Sequence, residues 1–164
     1  MKRNLKFSLL FLTILFVACT NKQPEIEEQK TEPVFPKGEK IINNNFTGTA
    51  WLQMLVNSDS TYNTSIGNVT FETGARTNWH KHPGGQILLV TDGKGYYQEK
   101  GKPAQIIQKG DIVKIPPDME HWHGAAPDSG LTHIAMSLNT DDGGAIWSGP
   151  VTDEEYNQAI KFEK

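Results

Sequence analysis

The chain has 164 residues, with 16 Lys and Arg against 19 Asp and Glu, which gives a formal net charge of −3 at pH 7. A chain of this length predicts one domain. The sequence has no basic stripe and no interleaved pattern of aromatic and basic residues, so it argues against nucleic acid as a partner. A single cysteine excludes an intrachain disulfide, so the fold must depend on its own hydrophobic core.

Residues 1–18 have the pattern of a secretory signal peptide. Lys2, Arg3 and Lys6 form a basic start, and the apolar run after them is shorter than the roughly 20 residues that span a bilayer. The run ends at Cys19 in a Phe-Val-Ala-Cys stretch that resembles the lipobox of bacterial lipoproteins, with Phe where Leu is usual. We therefore expect an exported protein, lipid-anchored through Cys19 to a bacterial membrane on its periplasmic or cell-surface side. An ordinary cleaved signal peptide with an unmodified cysteine is the alternative.

Residues 19–45 are predicted to form a flexible tether, and residues 46–164 to form the folded domain. The tether is polar and is interrupted by Pro24, Pro33 and Pro36. Such a composition buries too little apolar surface to offset the entropy lost on ordering. The tether would hold the domain close to the membrane.

From Phe46 onward, short alternating strands are separated by Gly, Pro and Asp turns at intervals of roughly 8–12 residues, which is typical of an all-β sandwich or barrel. The predicted strands include 49–56, 66–72, 104–108, 112–115, 119–124 and 131–138. The apolar run 87–90 is followed by an Asp-Gly pair at 92–93, which predicts a hairpin turn. Thr152 and Glu155 have the spacing of a capping box, which predicts one short C-terminal helix.

All five histidines lie between positions 80 and 133. His80 and His82 stand two apart on an extended segment, so their side chains project to one face. Imidazole is the commonest metal ligand in proteins, and His121 on a second strand would complete a metal cage. His123 stands two residues after His121 on the same predicted strand, so its side chain is expected to project to the same face and into the same cavity. His133 shares its face with small residues, which would leave room for a substrate if that face points inward.

Two motifs resemble those of the cupin superfamily. They are Gly74-x5-His80-x-His82-x3-Gln86-x6-Gly93 and Gly110-x5-Pro116-x-Asp118-x2-His121. The resemblance implies an all-β, double-stranded β-helix (a jelly-roll barrel) with a metal at its centre and a short C-terminal helix. Matched position by position, it makes four residues the metal ligands: His80, His82, Gln86 and His121. Gln86 stands where most metal-binding cupins have Glu.

The glutamine affects the chemistry expected of the ion. A divalent ion held by three neutral imidazoles and a neutral amide keeps its full +2 charge, so it should be a strong Lewis acid. The mixed nitrogen and oxygen donors suit Mn²⁺, Fe²⁺, Ni²⁺ or Zn²⁺. An empty, degenerate site with Gln86 as a spectator is the alternative.

A finer resemblance is to a subgroup of small, single-domain bacterial cupins that includes manganese-dependent (R)-selective hydroxynitrile lyases and carboxymuconolactone-decarboxylase-associated cupins. It is carried by the stretches 71–77, 79–86, 121–127, 132–135 and 151–156. The resemblance makes Mn²⁺ the favoured ion and implies a metal-dependent carbon–carbon lyase that acts on a small hydroxy or carbonyl compound. His123 and His133 are the catalytic candidates. His123 could act as the base, or it could only orient a metal ligand.

Two other functions stay open. One is a cupin dioxygenase-type oxidoreductase, against which the missing Glu counts modestly. The other is a non-catalytic lipoprotein that binds or senses a small molecule. In every case the expected partner is a small molecule, membrane contact comes from the lipid on Cys19, and the sequence leaves room for a homo-oligomer.

The residues beside the candidate site have structural interpretations. Trp79 and Trp122 each neighbour a candidate ligand, so they should point the other way, into the hydrophobic layer between sheets. Arg76 is expected to be an exposed, solvated side chain. The strand at 66–72 is expected to supply ordinary packing on the opposite wall of the barrel.

Overall fold

The computed structural model describes residues 32–161. The compact unit within them begins at Pro33. Its strands are β1 (Glu39–Lys40), β2 (Phe46–Thr47), β3 (Ala50–Val56), β4 (Thr64–Phe71), β5 (Arg76–Thr77), β6 (His80–Lys81), β7 (Gln86–Glu99), β8 (Gln105–Gln108), β9 (Ile112–Ile115), β10 (His121–Ala125), β11 (Leu131–Leu138) and β12 (Ile146–Trp147). A short 3-10 helix covers Thr140–Asp142, and helix α1 covers Asp153–Lys161. The predicted signal peptide, Cys19 and the first part of the predicted tether lie outside the described residues.

The strands belong to one curled sheet that forms a half-barrel. Its main order is β1-β3-β4-β11-β7-β10-β5-β2, while β6 pairs with β10 and β12, and β8 and β9 pair with β7. The pairings are antiparallel, so successive side chains alternate between the interior and the exterior. This confirms the all-β fold with one short C-terminal helix. Across residues 32–161, no helix has both the length and the apolar character needed to cross a membrane.

The longest strand, β7, runs without interruption from Gln86 to Glu99. The hairpin turn predicted at 92–93 is therefore wrong. Up to Gly93 the strand pairs with β9 and β11, and beyond it the strand pairs with β8 and β10. Gly93 has a positive φ of 75°, and a Cβ at this position would meet the carbonyl oxygen of Gly130. The Asp-Gly pair thus bends β7 at the point where the strand passes from one half of the sheet to the other.

The folded unit begins before Phe46, the boundary predicted from composition. Strand β1 lies in the stretch interpreted as a tether, and it pairs with β3. Asn68 donates a hydrogen bond from Nδ2 to the carbonyl oxygen of Pro36 at 3.1 Å. The Lys37 ammonium lies 3.2 Å from the centre of a Trp51 ring. These contacts are made by a short strand, one proline carbonyl and one lysine side chain, so the overall composition of the stretch did not indicate them.

The described domain has two hydrophobic clusters. The larger one fills the half-barrel and includes Phe71, Leu88 and Leu131. The smaller one contains Trp79 and Trp122 together with side chains of helix α1. Both tryptophans are separated from the histidines beside them, as predicted. They pack between the sheet and the helix, however, and not between two sheets.

Helix α1 is held in place by its capping box and by Arg76. The backbone N of Glu155 donates to Thr152 Oγ1 at 3.1 Å, and the backbone N of Thr152 donates to Glu155 Oε2 at 2.9 Å, as predicted. Arg76 was expected to be exposed, but only 5% of it is accessible. It donates to the carbonyl oxygen of Val151 at 3.0 Å and pairs with Asp153 at 2.7 Å. Arg76 therefore joins the start of the helix to the sheet.

Gly93→Ala should destabilise the domain more than Gly101→Ala. The two glycines have similar φ values, 75° and 78°, so alanine meets the same backbone strain at either position, about 1–2 kcal/mol. Only at position 93 would the new Cβ collide with the Gly130 backbone, because nothing lies within 4 Å at position 101. We expect an additional loss of about 1–3 kcal/mol in the free energy of unfolding, measured by urea titration. Equal losses for the two variants would contradict the steric role of Gly93.

Candidate metal centre

Three histidines meet on the interior face of the half-barrel. His80 begins β6, His82 lies just after that strand, and His121 begins β10, directly opposite His80 in the register. One ring nitrogen from each histidine lies within 4.8 Å of the others. The rings of His80 and His121 have centroids 4.2 Å apart. The three histidines predicted to share one metal site are thus close enough to do so.

Hydrogen bonds hold each of these rings by its Nδ1 atom. In His80 and His121, Nδ1 lies 3.0 and 2.8 Å from the carbonyl oxygen two residues earlier. A carbonyl oxygen can only accept a hydrogen bond, so Nδ1 carries the hydrogen and Nε2 keeps its lone pair. His82 Nδ1 lies 3.3 Å from Ser137 Oγ. Ser137 is one of the small residues that share a strand face with His133, and it therefore contacts a candidate ligand.

Gln86 begins β7 and brings its amide group to the same cluster. Its Oε1 atom lies 3.2 Å from His121 Nε2, and the residue is 4% exposed. An amide oxygen can coordinate a cation, so Gln86 places a fourth potential donor atom at the cluster. His82 Nε2 is buried and has no hydrogen-bond partner in the part of the chain that the structure describes. A buried lone pair without a partner is costly, and a cation at the cluster would satisfy it. The donor set therefore fits a divalent metal ion.

A second pair of histidines lies beside the cluster. The ring centroid of His123, on β10, is 5.3 Å from that of His80. His123 Nδ1 lies 3.2 Å from Nε2 of His133 on β11, so one ring donates a hydrogen bond to the other. Phe71 packs against both rings, with centroids 5.8 and 5.7 Å away, and Val69 lies opposite His133 in the register. Both catalytic candidates thus point inward and contact each other.

Burial keeps all five histidines neutral at pH 7. It lowers the pKa of His82, His121 and His133 to about 4. Burial, followed by repulsion from neighbouring imidazoles, lowers the pKa of His80 and His123 well below the usual range. A neutral imidazole keeps the lone pair that binds a metal ion or accepts a proton. The electrostatics therefore suit a cation bound by uncharged ligands.

The chain is similar to known proteins in both sequence and fold. The cupin domain family matches residues 67–135. Over 113 residues the chain is 42% identical to an (R)-mandelonitrile lyase from Granulicella tundricola, and the match covers 69% of this chain and 86% of that protein. The chain belongs to the cupin family.

Two further comparisons differ in strength. The crystal structure of a cupin-like protein from Thermotoga maritima is 55% identical, with a TM-score of 0.75, and the match covers 78% of this chain and 97% of that one. An acireductone dioxygenase from Alcanivorax borkumensis is 23% identical over 82 residues, which cover 48% of this chain and 45% of that protein. The first comparison agrees with the fold described above, and the second is limited to about half of each chain.

Some of the described residues near the centre of this cupin were not predicted. Trp147, on β12, lies opposite His80 in the register, and the two rings stack with centroids 4.6 Å apart. Thr77 Oγ1 accepts a hydrogen bond from the backbone N of His123 at 3.2 Å. Glu99 lies opposite the first residue of β10. Trp147 could not be predicted because β12 has only two residues and shows no periodic pattern. The positions of Thr77 and Glu99 follow from the alternation of side chains only once the register of their strands is known.

Purified protein should bind Mn²⁺ through this centre, and His82→Ala should weaken that binding by at least about 100-fold. Disturbing a residue that only orients a metal ligand typically costs 10–100-fold in affinity, and losing a ligand should cost no less. The measurement is isothermal titration calorimetry on metal-stripped protein. His133→Ala is the matched control, because it removes a buried imidazole outside the three-histidine cluster and should keep Mn²⁺ binding. Equal loss of binding in the two variants would contradict the assignment.

Proposed function

We propose that this cupin is a metal-dependent lyase that cleaves a carbon–carbon bond in a small hydroxy or carbonyl compound, with a hydroxynitrile as the model substrate. The observation that carries the proposal is the His123–His133 pair beside a centre of three imidazoles and one amide. The similarity to an (R)-mandelonitrile lyase supports the reaction class. The similarity to a dioxygenase is weaker and covers less of the chain.

Four residues would hold the metal ion: His80, His82, Gln86 and His121. A divalent ion supplies Lewis acidity toward a substrate oxygen when it is bound, and four neutral donors leave its +2 charge undiminished. Mn²⁺ is the ion that we favour, and Fe²⁺, Ni²⁺ and Zn²⁺ are compatible with the same donors. The buried Nε2 of His82 and the amide oxygen of Gln86 are the contacts that support this choice of site.

His123 would act as the base toward the substrate hydroxyl. Its Nδ1 atom is engaged by His133, which leaves Nε2 for the substrate. For Nε2 to accept a proton, Nδ1 must carry the ring hydrogen and donate it to His133 Nε2. His133 would therefore set the tautomer of His123 and stabilise the imidazolium that forms after proton transfer. In this role His133 is a positioning residue.

The reaction balances with these groups alone. His123 Nε2 takes the hydroxyl proton, the oxygen electron pair forms the carbonyl group, and the carbon–carbon bond breaks so that cyanide leaves with the bonding pair. The proton then passes from His123 to cyanide. The products are an aldehyde and hydrogen cyanide, and His123 returns to its neutral form. The same steps in reverse join the two products.

Mn²⁺-loaded protein should cleave (R)-mandelonitrile, which can be followed by the absorbance of benzaldehyde. His123→Ala should lower kcat by about 10²–10⁴-fold, since positioned general bases contribute that much, while Mn²⁺ content stays unchanged. His133→Ala should cause a smaller loss, and His133→Gln should recover part of it, because the amide oxygen can still accept from Nδ1–H of His123.

The outcome with wild-type protein separates the three functions. Full Mn²⁺ content with no cleavage of hydroxynitriles would contradict the lyase proposal and favour binding or sensing of a small molecule. Oxygen consumption with a catechol or flavonol substrate would favour the dioxygenase alternative. For the cleavage assays of the His123 and His133 variants, the surface variant Ile106→Ala serves as the control, because Ile106 is exposed and lies outside the centre.

The proposal also includes export and a lipid anchor on Cys19, supported by the basic start, the apolar run and the Phe-Val-Ala-Cys stretch. The folded domain would then act beside a membrane on the periplasmic or cell-surface side. Cys19→Ser should block the attachment of labelled fatty acid and move the protein from the membrane fraction to the soluble fraction. Labelling of the Cys19→Ser protein equal to that of the wild type would contradict the anchor.

A further inference from the structure

One carboxylate projects to the same face of the sheet as the histidine cluster. Glu99, the last residue of β7, lies directly opposite His121 in the register of β7 and β10. Residues directly opposite each other in antiparallel strands have Cβ atoms about 4.5–5.5 Å apart, with their side chains on one face. Only 13% of the Glu99 side chain is exposed. The proposed function gives this carboxylate no role.

Two neighbours hold the carboxylate of Glu99. Tyr97, two residues earlier on the same face, donates a hydrogen bond from its hydroxyl group to Glu99 Oε1 at 3.1 Å. The ring of Tyr97 lies beside the ring of His121, with centroids 5.8 Å apart. The other oxygen, Oε2, forms an ion pair with the ammonium group of Lys102. Glu99 therefore places a fixed negative charge close to a candidate ligand.

The four candidate donors of the metal centre carry no charge of their own. Three imidazoles and the amide of Gln86 leave a divalent ion with its full +2 charge, and burying an uncompensated charge is costly. Glu99 does not belong to the group of side chains whose donor atoms lie within 4.8 Å of one another, so it would not bind the ion directly. A negative charge outside the ligand set still attracts the ion through space.

We propose that Glu99 is the counter-charge of the metal centre, a carboxylate that stabilises the bound cation through space without entering its ligand set. The inference rests on the metal-binding part of the proposed function and not on the reaction. It separates two tasks that a glutamate at position 86 would combine. The neutral Gln86 leaves the Lewis acidity of the ion high, while Glu99 helps to retain the ion in a buried site.

The surroundings of Glu99 limit the size of the effect. Tyr97 and Glu99 line a cavity of about 240 Å³ together with residues of β8 and β9, which gives the carboxylate some access to solvent. Lys102, whose side chain is 60% exposed, offsets part of its charge. We therefore expect Glu99 to strengthen cation binding by about threefold to thirtyfold, as for charges several ångströms apart at an effective dielectric constant well above that of a dry interior.

Two charge changes of opposite sign test the proposal. Glu99→Gln keeps the shape of the side chain, and its amide oxygen can still accept the hydrogen bond from Tyr97. Full-length, metal-stripped Glu99→Gln protein should bind Mn²⁺ about threefold to thirtyfold more weakly than the wild type in isothermal titration calorimetry. Lys102→Met removes a positive charge and should bind Mn²⁺ more tightly than the wild type. Structural damage would not produce such a gain.

A surface ion pair provides the matched control. The charged groups of Lys94 and Asp128 lie 3.6 Å apart, and Asp128 follows β10 at the end of the strand away from His121. Asp128→Asn changes the net charge of the protein by the same amount as Glu99→Gln and should leave the Mn²⁺ affinity unchanged. Because salt screens electrostatic attraction, the difference between the wild type and Glu99→Gln should shrink as the ionic strength is raised. Circular dichroism checks that every variant is folded.

The outcomes separate the counter-charge from the metal centre and from the reaction. Wild-type protein that binds no Mn²⁺ would overturn the counter-charge together with the metal centre. If the wild type binds Mn²⁺ and Glu99→Gln binds it equally well, the counter-charge alone fails, as it does if Asp128→Asn causes the same loss or if Lys102→Met binds more weakly. Weaker binding in Glu99→Gln alone, with no cleavage of hydroxynitriles by the wild type, would support the counter-charge and contradict the lyase proposal.

Discussion

The pairing of β10 with β6 sets His121 directly opposite His80, and the candidate metal centre depends on this antiparallel register. Side chains alternate between the two faces of a strand, so a shift by one residue would turn His121 outward and Trp122 inward. The pairing of β10 with β7 supports the same register from the other side. A shift would also remove fully buried Trp122 from the cluster beneath helix α1. Packing on the outer face of β10 therefore helps to hold the histidines on its inner face.

The interior of the half-barrel combines polar groups with hydrophobic packing. Buried polar groups are costly unless they are hydrogen-bonded, and the Nδ1 atoms of His80, His82 and His121 each have a partner. His82 Nε2 is different, because no partner for it lies within residues 32–161. The five histidines are at most 7% exposed, and the same burial lowers their pKa values. One consequence is that a cation and a substrate oxygen would meet in a site of low polarity, where electrostatic interactions are strong.

Much of the candidate site could be predicted from the sequence. The two-residue spacing of His80 and His82 placed both side chains on one face of a strand. The same spacing of His121 and His123 placed both of their side chains on the interior face. Gln86 is a different case, because only the resemblance to the cupin motif indicated it. Nothing in the spacing of a single glutamine marks it as a ligand, although the structure brings its amide to His121.

Other predictions were wrong for physical reasons that can be named. An Asp-Gly pair favours a turn because glycine accepts a positive φ, yet the same φ also allows the bend at Gly93 inside β7. Arginine is usually exposed, yet Arg76 finds the Val151 carbonyl and Asp153 at the start of helix α1. In each case the residue has the expected local preference, and a contact with a segment distant in the chain decides which structure the residue adopts.

By itself, the sequence determined the features that depend on residues a few positions apart. These are the alternation of the strands, the capping box of the helix and the histidine pairs that converge on one face. Only the tertiary structure decided that Trp147 stacks on His80, that Phe46 meets Trp147, and that His133 reaches His123. The physical reason is that Trp147 and Phe46 meet partners far away in the chain. His123 and His133 are only ten residues apart, but they lie on strands that both pair with β7 and not with each other. The register between such strands comes from the packing of the whole sheet, and no short stretch of sequence specifies it.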